Sequence, residues 1–254
     1  LLNELLIKEI LQVFILVLTL TASSSLFAQP GGPEITIQGK VNGGLNIPCG
    51  QTCTTLTATA FSAAQTTSYT VGQIAYNPPF SYTAGTSTLV AIDDVWGPVI
   101  NLPFNFCFFG NTYNQIVVGS NGMISFNINN TPGTNNWQIQ GPIPATYFPD
   151  ITNSIMGPWQ DLDPTNQGQI HYQISGTYPC RSFEVSWYQC PYYGDPNSVN
   201  PVTFNTALFG TQQIVLYETT NAIEVYIQNK ALCTAWNNGR AIEGIQNATG
   251  TVAY

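Results

Sequence analysis

The chain has 254 residues, carries a formal net charge of −8, and only 7% of its residues are charged. Soluble domains usually carry about 25% charged residues, so Asn, Gln, Thr, Ser, Gly and Tyr must supply most of this surface. The acid excess excludes nucleic acid as a partner, because nothing here neutralises a run of phosphates, and it disfavours anionic membranes.

Lys8 supplies a positive start, residues 10–20 (ILQVFILVLTL) form a short apolar core, and residues 21–28 end on small side chains at Ala28. That order predicts a secretory signal, residues 1–28, cleaved before Gln29. A membrane-spanning helix needs ~20 apolar residues, and this core is shorter. The mature protein is therefore expected outside the cytoplasm, secreted or on the cell surface after crossing the inner and outer membranes, with no membrane insertion after cleavage. Its polar but uncharged surface suits dense extracellular assemblies, where exposed ion pairs contribute little.

Residues 29–87 read as a leader that is partly β. They hold a Pro/Gly-rich stretch with one short run, Glu34-Ile35-Thr36-Ile37, and then a Thr/Ala-rich stretch. Residues 88–254 read as the main domain. No helix-period stretch follows the signal; short β-branched and aromatic runs are punctuated by Gly, Pro or Asn every eight to twelve residues or about that. The expected fold class is all-β, an antiparallel β-sandwich.

Within it, residues 104–109 (FNFCFF) alternate poorly and are expected to be buried on both faces. Gly110-Asn111 reads as a turn before Ile116-Val117-Val118. Asn121-Gly122 then separates that run from Met123-Ile124-Ser125-Phe126, a strong hairpin signal because both residues tolerate positive φ. Residues 183–187, 213–217 and 222–227 form a meander with a polar turn at residues 218–221. In its last strand Glu224 and Tyr226 alternate with Ile223, Val225 and Ile227, predicting one wet and one dry face. The apolar end at residues 251–254, and the start at Leu1 rather than Met, lead us to expect a fragment whose partners include downstream domains of the same chain.

The six cysteines, Cys49, Cys53, Cys107, Cys180, Cys190 and Cys233, read as disulfides in an exported chain. Cys49 and Cys53 can close a small ring. Cys180 and Cys190 bracket an extended segment whose ends, at about 3.3 Å per residue, lie beyond the ~7 Å Cα limit for pairing. The favoured arrangement, among the several allowed, joins Cys107 to Cys180 and Cys190 to Cys233. A zinc site fits poorly, since the spacings match no finger and His171 is the only histidine.

The string PFNFCFFGNTYNQIVVGSNGMISF (residues 103–126) resembles the opening of nidogen-like (NIDO) extracellular domains. Residues 155–163 resemble that family's segment of an aromatic followed by alternating Asp. Phe204, residues 214–229 and Trp236-Asn237-Asn238-Gly239 resemble its closing strands. More narrowly, the wording is similar to the N-terminal region of large surface proteins of gliding Bacteroidetes, which are exported by the type IX secretion system. The resemblance implies a β-sandwich and a role in adhesion or surface-matrix building, with gliding motility as the setting. The Cys content and the segment before residue 88 depart from the animal nidogen pattern.

Catalysis finds little support in these residues. A hydrolytic triad needs a histidine between nucleophile and acid; His171 sits in an alternating strand-like run with no nucleophile elbow and reads as a strand surface or edge residue. Glycosidase chemistry would need facing carboxylates, and Asp161, Asp163 and Glu184 are the pairings worth naming. No cofactor is expected, with calcium the one candidate metal. Asp161, Asp163 and Asn166 offer alternating side-chain oxygens that suit a hard cation, while Asn166 and Tyr172 stand where an EF-hand needs Gly and Glu; the plainer reading is a turn whose Asp side chains accept backbone N–H bonds. Trp159 and Trp187 read as core. Tyr192 and Tyr193, in a Pro/Gly/Asp loop, read as exposed partner-contacting aromatics. The expected function is thus a non-enzymatic extracellular adhesion or surface-matrix module of a larger protein that meets a glycan or protein surface. The alternatives are a carbohydrate-binding or targeting module of a secreted hydrolase, or a structural unit of a surface filament.

Overall fold

The computed structural model describes residues 66–88, 90–193, 209–230, 232 and 237–254. Ten strands make two antiparallel five-stranded sheets. The first holds, in spatial order, β1 (Thr86–Ser87), β6 (Gln169–Ser175), β7 (Ser182–Pro191), β8 (Phe209–Tyr217) and β9 (Ile223–Asn229). The second holds β10 (Ile242–Gln246), β5 (Ser154–Trp159), β4 (Met123–Ser125), β3 (Asn111–Val118) and β2 (Ile100–Phe108). The helical pieces among the described residues are single 3-10 turns.

Strand alternation builds the layers. Phe106, Ile116, Val118, Ile124 and Ile155 of the second sheet meet Phe183, Val185, Trp187, Ile214 and Leu216 of the first in one buried cluster. Each such side chain contributes roughly 1.5–3 kcal/mol when taken fully out of water. The intervening positions Val117, Met123 and Met156 point the other way, into a second cluster with Trp96, Ile139, Ile151 and Trp159. The centre of the second sheet is therefore covered on both faces, and β4 and β5 read as unbroken buried runs rather than alternating ones. Trp159 and Trp187 are core residues, as expected.

Three readings of the sequence need correction. In β2 only Phe106, Cys107 and Phe108 are buried in succession; Asn101 and Asn105 are exposed because β2 is an edge strand. The β2–β3 turn is Phe109-Gly110, one residue earlier than expected, with φ of 46° and 79°. A bulky residue at positive φ is costly, and the Phe109 ring offsets that by packing on Phe108 and Tyr69 at centroid distances of 4.8 and 4.9 Å.

In β9 the alternation holds, with Ile223 and Val225 half-buried against the core, but the expected wet face is covered: Glu224 and Tyr226 are buried. Glu224 Oε2 accepts from the hydroxyls of Tyr217 and Tyr226 at 2.6 and 2.8 Å, so one carboxylate oxygen is met under cover.

The expected disulfides are not shown: Cys107, Cys180 and Cys190 are free thiols among the described residues, and Cys49, Cys53 and Cys233, with which the other expected pairings would be made, lie outside them, as do the signal segment and residues 34–37. Cys107 is buried on β2, where its Sγ accepts from the Thr66 N–H at 3.2 Å, whereas Cys180 is exposed before β7. Cys190 is fully buried against Gly168, and burial pushes its thiol up to about 12. Alkylation of native protein followed by peptide mass mapping is expected to modify Cys180 rapidly, and Cys107 and Cys190 only after unfolding. A recovered Cys107–Cys180 cross-linked peptide would contradict this.

Gly157 lies where the sheets pack closely: a Cβ there would lie 2.9 Å from Cγ1 of Ile214 and 3.1 Å from Cγ1 of Val225. Gly157→Ala should overpack that seam and lower stability by about 1–3 kcal/mol in a urea melt; an unchanged midpoint would mean that the sheets do not meet there.

Candidate functional site

At one end of the sandwich four loop segments are knitted together by a single buried amide. Asn121 is fully buried in the β3–β4 hairpin. Its Nδ2 donates to Asp94 Oδ1 and to the Asn135 carbonyl, both at 2.8 Å. Its Oδ1 accepts from the Leu162 N–H at 2.8 Å, and its carbonyl accepts from Gln160 N–H at 3.2 Å. Its own N–H donates to Asn135 Oδ1 at 2.9 Å. Gly122 completes the hairpin at φ 79°, where an added Cβ would lie 2.3 Å from the Pro158 carbonyl oxygen. Asn121 does not itself adopt positive φ, so it serves the hairpin as a buried hydrogen-bonding hub rather than as a turn residue.

This framework gathers carboxylates. Oxygens of Asp93, Asp94 and Asp161 lie within 4.8 Å of one another. Asp163 acts on Asp93 and Asp94 through its charge. The loop is tightened where Asp93 N–H donates to Thr165 Oγ1 at 3.1 Å and Thr165 N–H donates to Asp163 Oδ1 at 2.9 Å. Burial, and then the charges of Asp94 and Asp163, push the Asp93 carboxyl up to about 7. Burial also raises Asp94, against the opposing donor Asn121. The ion pair found among the described residues, Arg181–Glu218 at 2.6 Å, lies elsewhere. Crowded carboxylates without a cation must take up protons or admit a hard, oxygen-seeking ion.

The three metal candidates of the sequence separate. Asp161 belongs to the cluster and Asp163 borders it, while Asn166 is exposed on the loop beyond. Asp93 and Asp94 were missed, because their only sequence signal is an acidic pair distant along the chain from Asp161.

The aromatic candidates separate too. Tyr192 was expected at the surface but is fully buried, pairing as a bridge with Leu162, whereas Tyr193 is 39% exposed. The same pairing ties the aromatic segment to the acidic one: Tyr193 N–H donates to the Asp161 carbonyl at 3.0 Å, and Asp163 N–H donates to the Pro191 carbonyl at 2.9 Å. His171 lies half-buried on β6, its Nε2 3.2 Å from Gln169 Oε1, and Glu184 lies on β7 outside the acidic cluster.

Fold and site together define an all-β domain of two packed antiparallel sheets with a carboxylate-lined loop end. The sequence profile described as NIDO related matches residues 57–254, and the chain belongs to that nidogen-related family, which is not a known enzyme family. No curated protein and no solved structure matches the chain. No helix among the described residues is long and apolar enough to cross a membrane.

The raised carboxyls set a pH dependence. A carboxyl held above its unfolded value binds more protons folded than unfolded, so its neutral form favours the fold and stability falls as pH climbs from about 4 through 7. The melting temperature should therefore drop between pH 5 and pH 8. Millimolar calcium should restore it at pH 8 and have little effect at pH 5, and Asp93→Asn should remove the calcium-dependent part. A melting temperature indifferent to chelator at pH 8 would exclude a cation role for the cluster.

Proposed function

We propose that this chain is the exported, non-enzymatic N-terminal module of a larger surface protein, serving adhesion or surface-matrix building. The observation that carries this reading is the convergence at one loop end: the Asp161–Asp163 and Pro191–Tyr193 segments pair with each other. An exposed aromatic thereby sits beside a rigid acidic cluster, with the Ile92 side chain 60% exposed next to Asp93. Exposed aromatic and apolar groups on a polar, weakly charged surface are the usual anchors of partner contact. Membership of the nidogen-related family supports the same reading. Calcium is the ion we assign to the acidic end, where it would hold the loops rather than take part in a reaction.

The finer setting is a surface protein of a gliding bacterium, exported by the type IX system behind a cleaved signal. It rests on the resemblance carried by residues 103–126. The partner is a glycan or protein surface outside the cell.

Purified protein should bind cells or a glycan array in calcium, and Tyr193→Ala or Asp161→Asn should weaken that binding at least about tenfold while the fold is kept. Binding that survives both substitutions, or turnover of a glycoside or peptide substrate at enzyme-like rates, would overturn the reading.

A further inference from the structure

The outward face of the first sheet carries polar side chains that the sandwich core does not use. Register sets Glu184, Val215 and Glu224 in one row across β7, β8 and β9, with His171, Ser186, Gln213 and Tyr226 in the next. The chain ahead of β1 crosses this face. Gln213 Nε2 donates to the Phe80 carbonyl at 3.4 Å, and the Tyr76 ring lies 6.3 Å from that of Tyr226. Ser87 then pairs with His171 at the far edge. Residues between Phe80 and β1 must therefore pass over β7 and β6, a crossing of ~14 Å at ~4.8 Å per strand, well within reach of an extended chain at ~3.3 Å per residue.

Under this strap the unmet polar atoms are all of one kind. Glu184 is 1% exposed, and neither carboxylate oxygen has a hydrogen-bond partner; the hydroxyls of Ser182 and Ser175 oppose its rise without bonding in good geometry. Glu224 Oε1 and Gln213 Oε1 are likewise buried without partners, since Gln213 spends its Nε2 on Ser186 Oγ at 2.8 Å and on Phe80. His171 Nδ1 is also unmet, and it is an acceptor when Nε2 carries the proton towards Gln169. No buried unmet donor faces them among the described residues.

The missing complement is thus donor-rich, and because two carboxylates are buried it is also positive. A hydroxyl or water would satisfy the oxygens but leave the charge desolvated; an ammonium or guanidinium does both. The described basic residues of the chain are engaged elsewhere: Arg181 with Glu218, Lys230 with the Gly239 carbonyl and Arg240 with the Ile139 carbonyl. The strap is held by the long Gln213–Phe80 bond, the Tyr76–Tyr226 contact and the buried Tyr82, whose hydroxyl lies 2.9 Å from that of Tyr76; Tyr76 and the preceding Val71 and Ile74 are exposed.

We propose that the outward face of the first sheet, beneath the strap of residues 76–85, is a binding site for an alkylammonium or guanidinium group held by Glu184 and Glu224, the strap being its displaceable cover. Burial pushes the empty Glu184 carboxyl up to about 7, and a bound cation reverses that. The proposal does not depend on the adhesion reading and concerns the opposite kind of surface, a covered one.

The test is calorimetry and carboxyl-resolved 13C NMR at pH 7.5 with Nα-acetyl-lysine methylamide, Nα-acetyl-arginine methylamide and the alanine analogue as control. The expected result is saturable binding of the lysine or arginine probe but not the alanine one. Glu184 should titrate at least about one pH unit lower when saturated, the tenfold linkage that a bound cation implies. Glu184→Gln should weaken binding at least tenfold, while Asp93→Asn leaves it unchanged. Should Glu184→Gln fail to fold, wild-type shifts confined to Glu184, Glu224 and Tyr226 serve as the same readout. No saturation at tens of millimolar probe, shifts centred on Asp93 and Asp161, or equal binding by Glu184→Gln would each overturn the proposal.

Discussion

The loop end of this domain depends on one buried amide. Asn121 uses both donor hydrogens and its acceptor oxygen on three different segments, at 2.8 Å each, and its backbone groups fasten two of them again. A buried polar network is stabilising when every member is satisfied and costly when one is missing. Asn121 therefore fixes where Asp94, Asn135 and Leu162 stand, and through them where Asp93 and Asp161 are held. Their carboxylates crowd together because the backbone beneath gives them no other place to go.

A second constraint is how few charges the chain possesses. With 13 acidic residues in the whole sequence, gathering Asp93, Asp94, Asp161 and Asp163 at one end and burying Glu184 and Glu224 on another face leaves much of the surface to amides, hydroxyls and tyrosines. The Asp93 and Glu184 carboxyls rise through loss of water before any neighbouring charge is counted. Asp93 and Glu184 are consequently poised near neutral pH, which is where the cations proposed for the loop end and for the strap-covered face would act.

Local patterns carried the strands well and the faces badly. The apolar runs at Ile116-Val117-Val118 and Met123-Ile124 and the meander from Phe183 to Ile227 are strands where period and turn chemistry set them. Period alone cannot say what lies above a sheet. Glu224 and Tyr226 alternate as a solvated face would, yet the segment around Phe80, far away in sequence, covers the face of the sheet that bears them. Tyr192 misleads in the same way, because its bridge to Leu162 is a tertiary contact with no local trace. Of the acidic site, Asp161 and Asp163 were legible from their spacing, whereas Asp93 and Asp94 needed the fold. Asn121-Gly122 marked the hairpin correctly, but the role of Asn121 comes from burial, which no dipeptide rule contains.

The most direct test of the account is equilibrium unfolding of Asn121→Ala beside wild type in calcium-free buffer at pH 6. A residue that merely eases a turn should cost less than about 1 kcal/mol when replaced. A hub whose loss strands Asp94, the Asn135 carbonyl and the Leu162 N–H inside the protein should cost at least about 3 kcal/mol, at roughly 1–3 kcal/mol per buried group left unmet. The account predicts the larger loss, and a value at the lower level would contradict it.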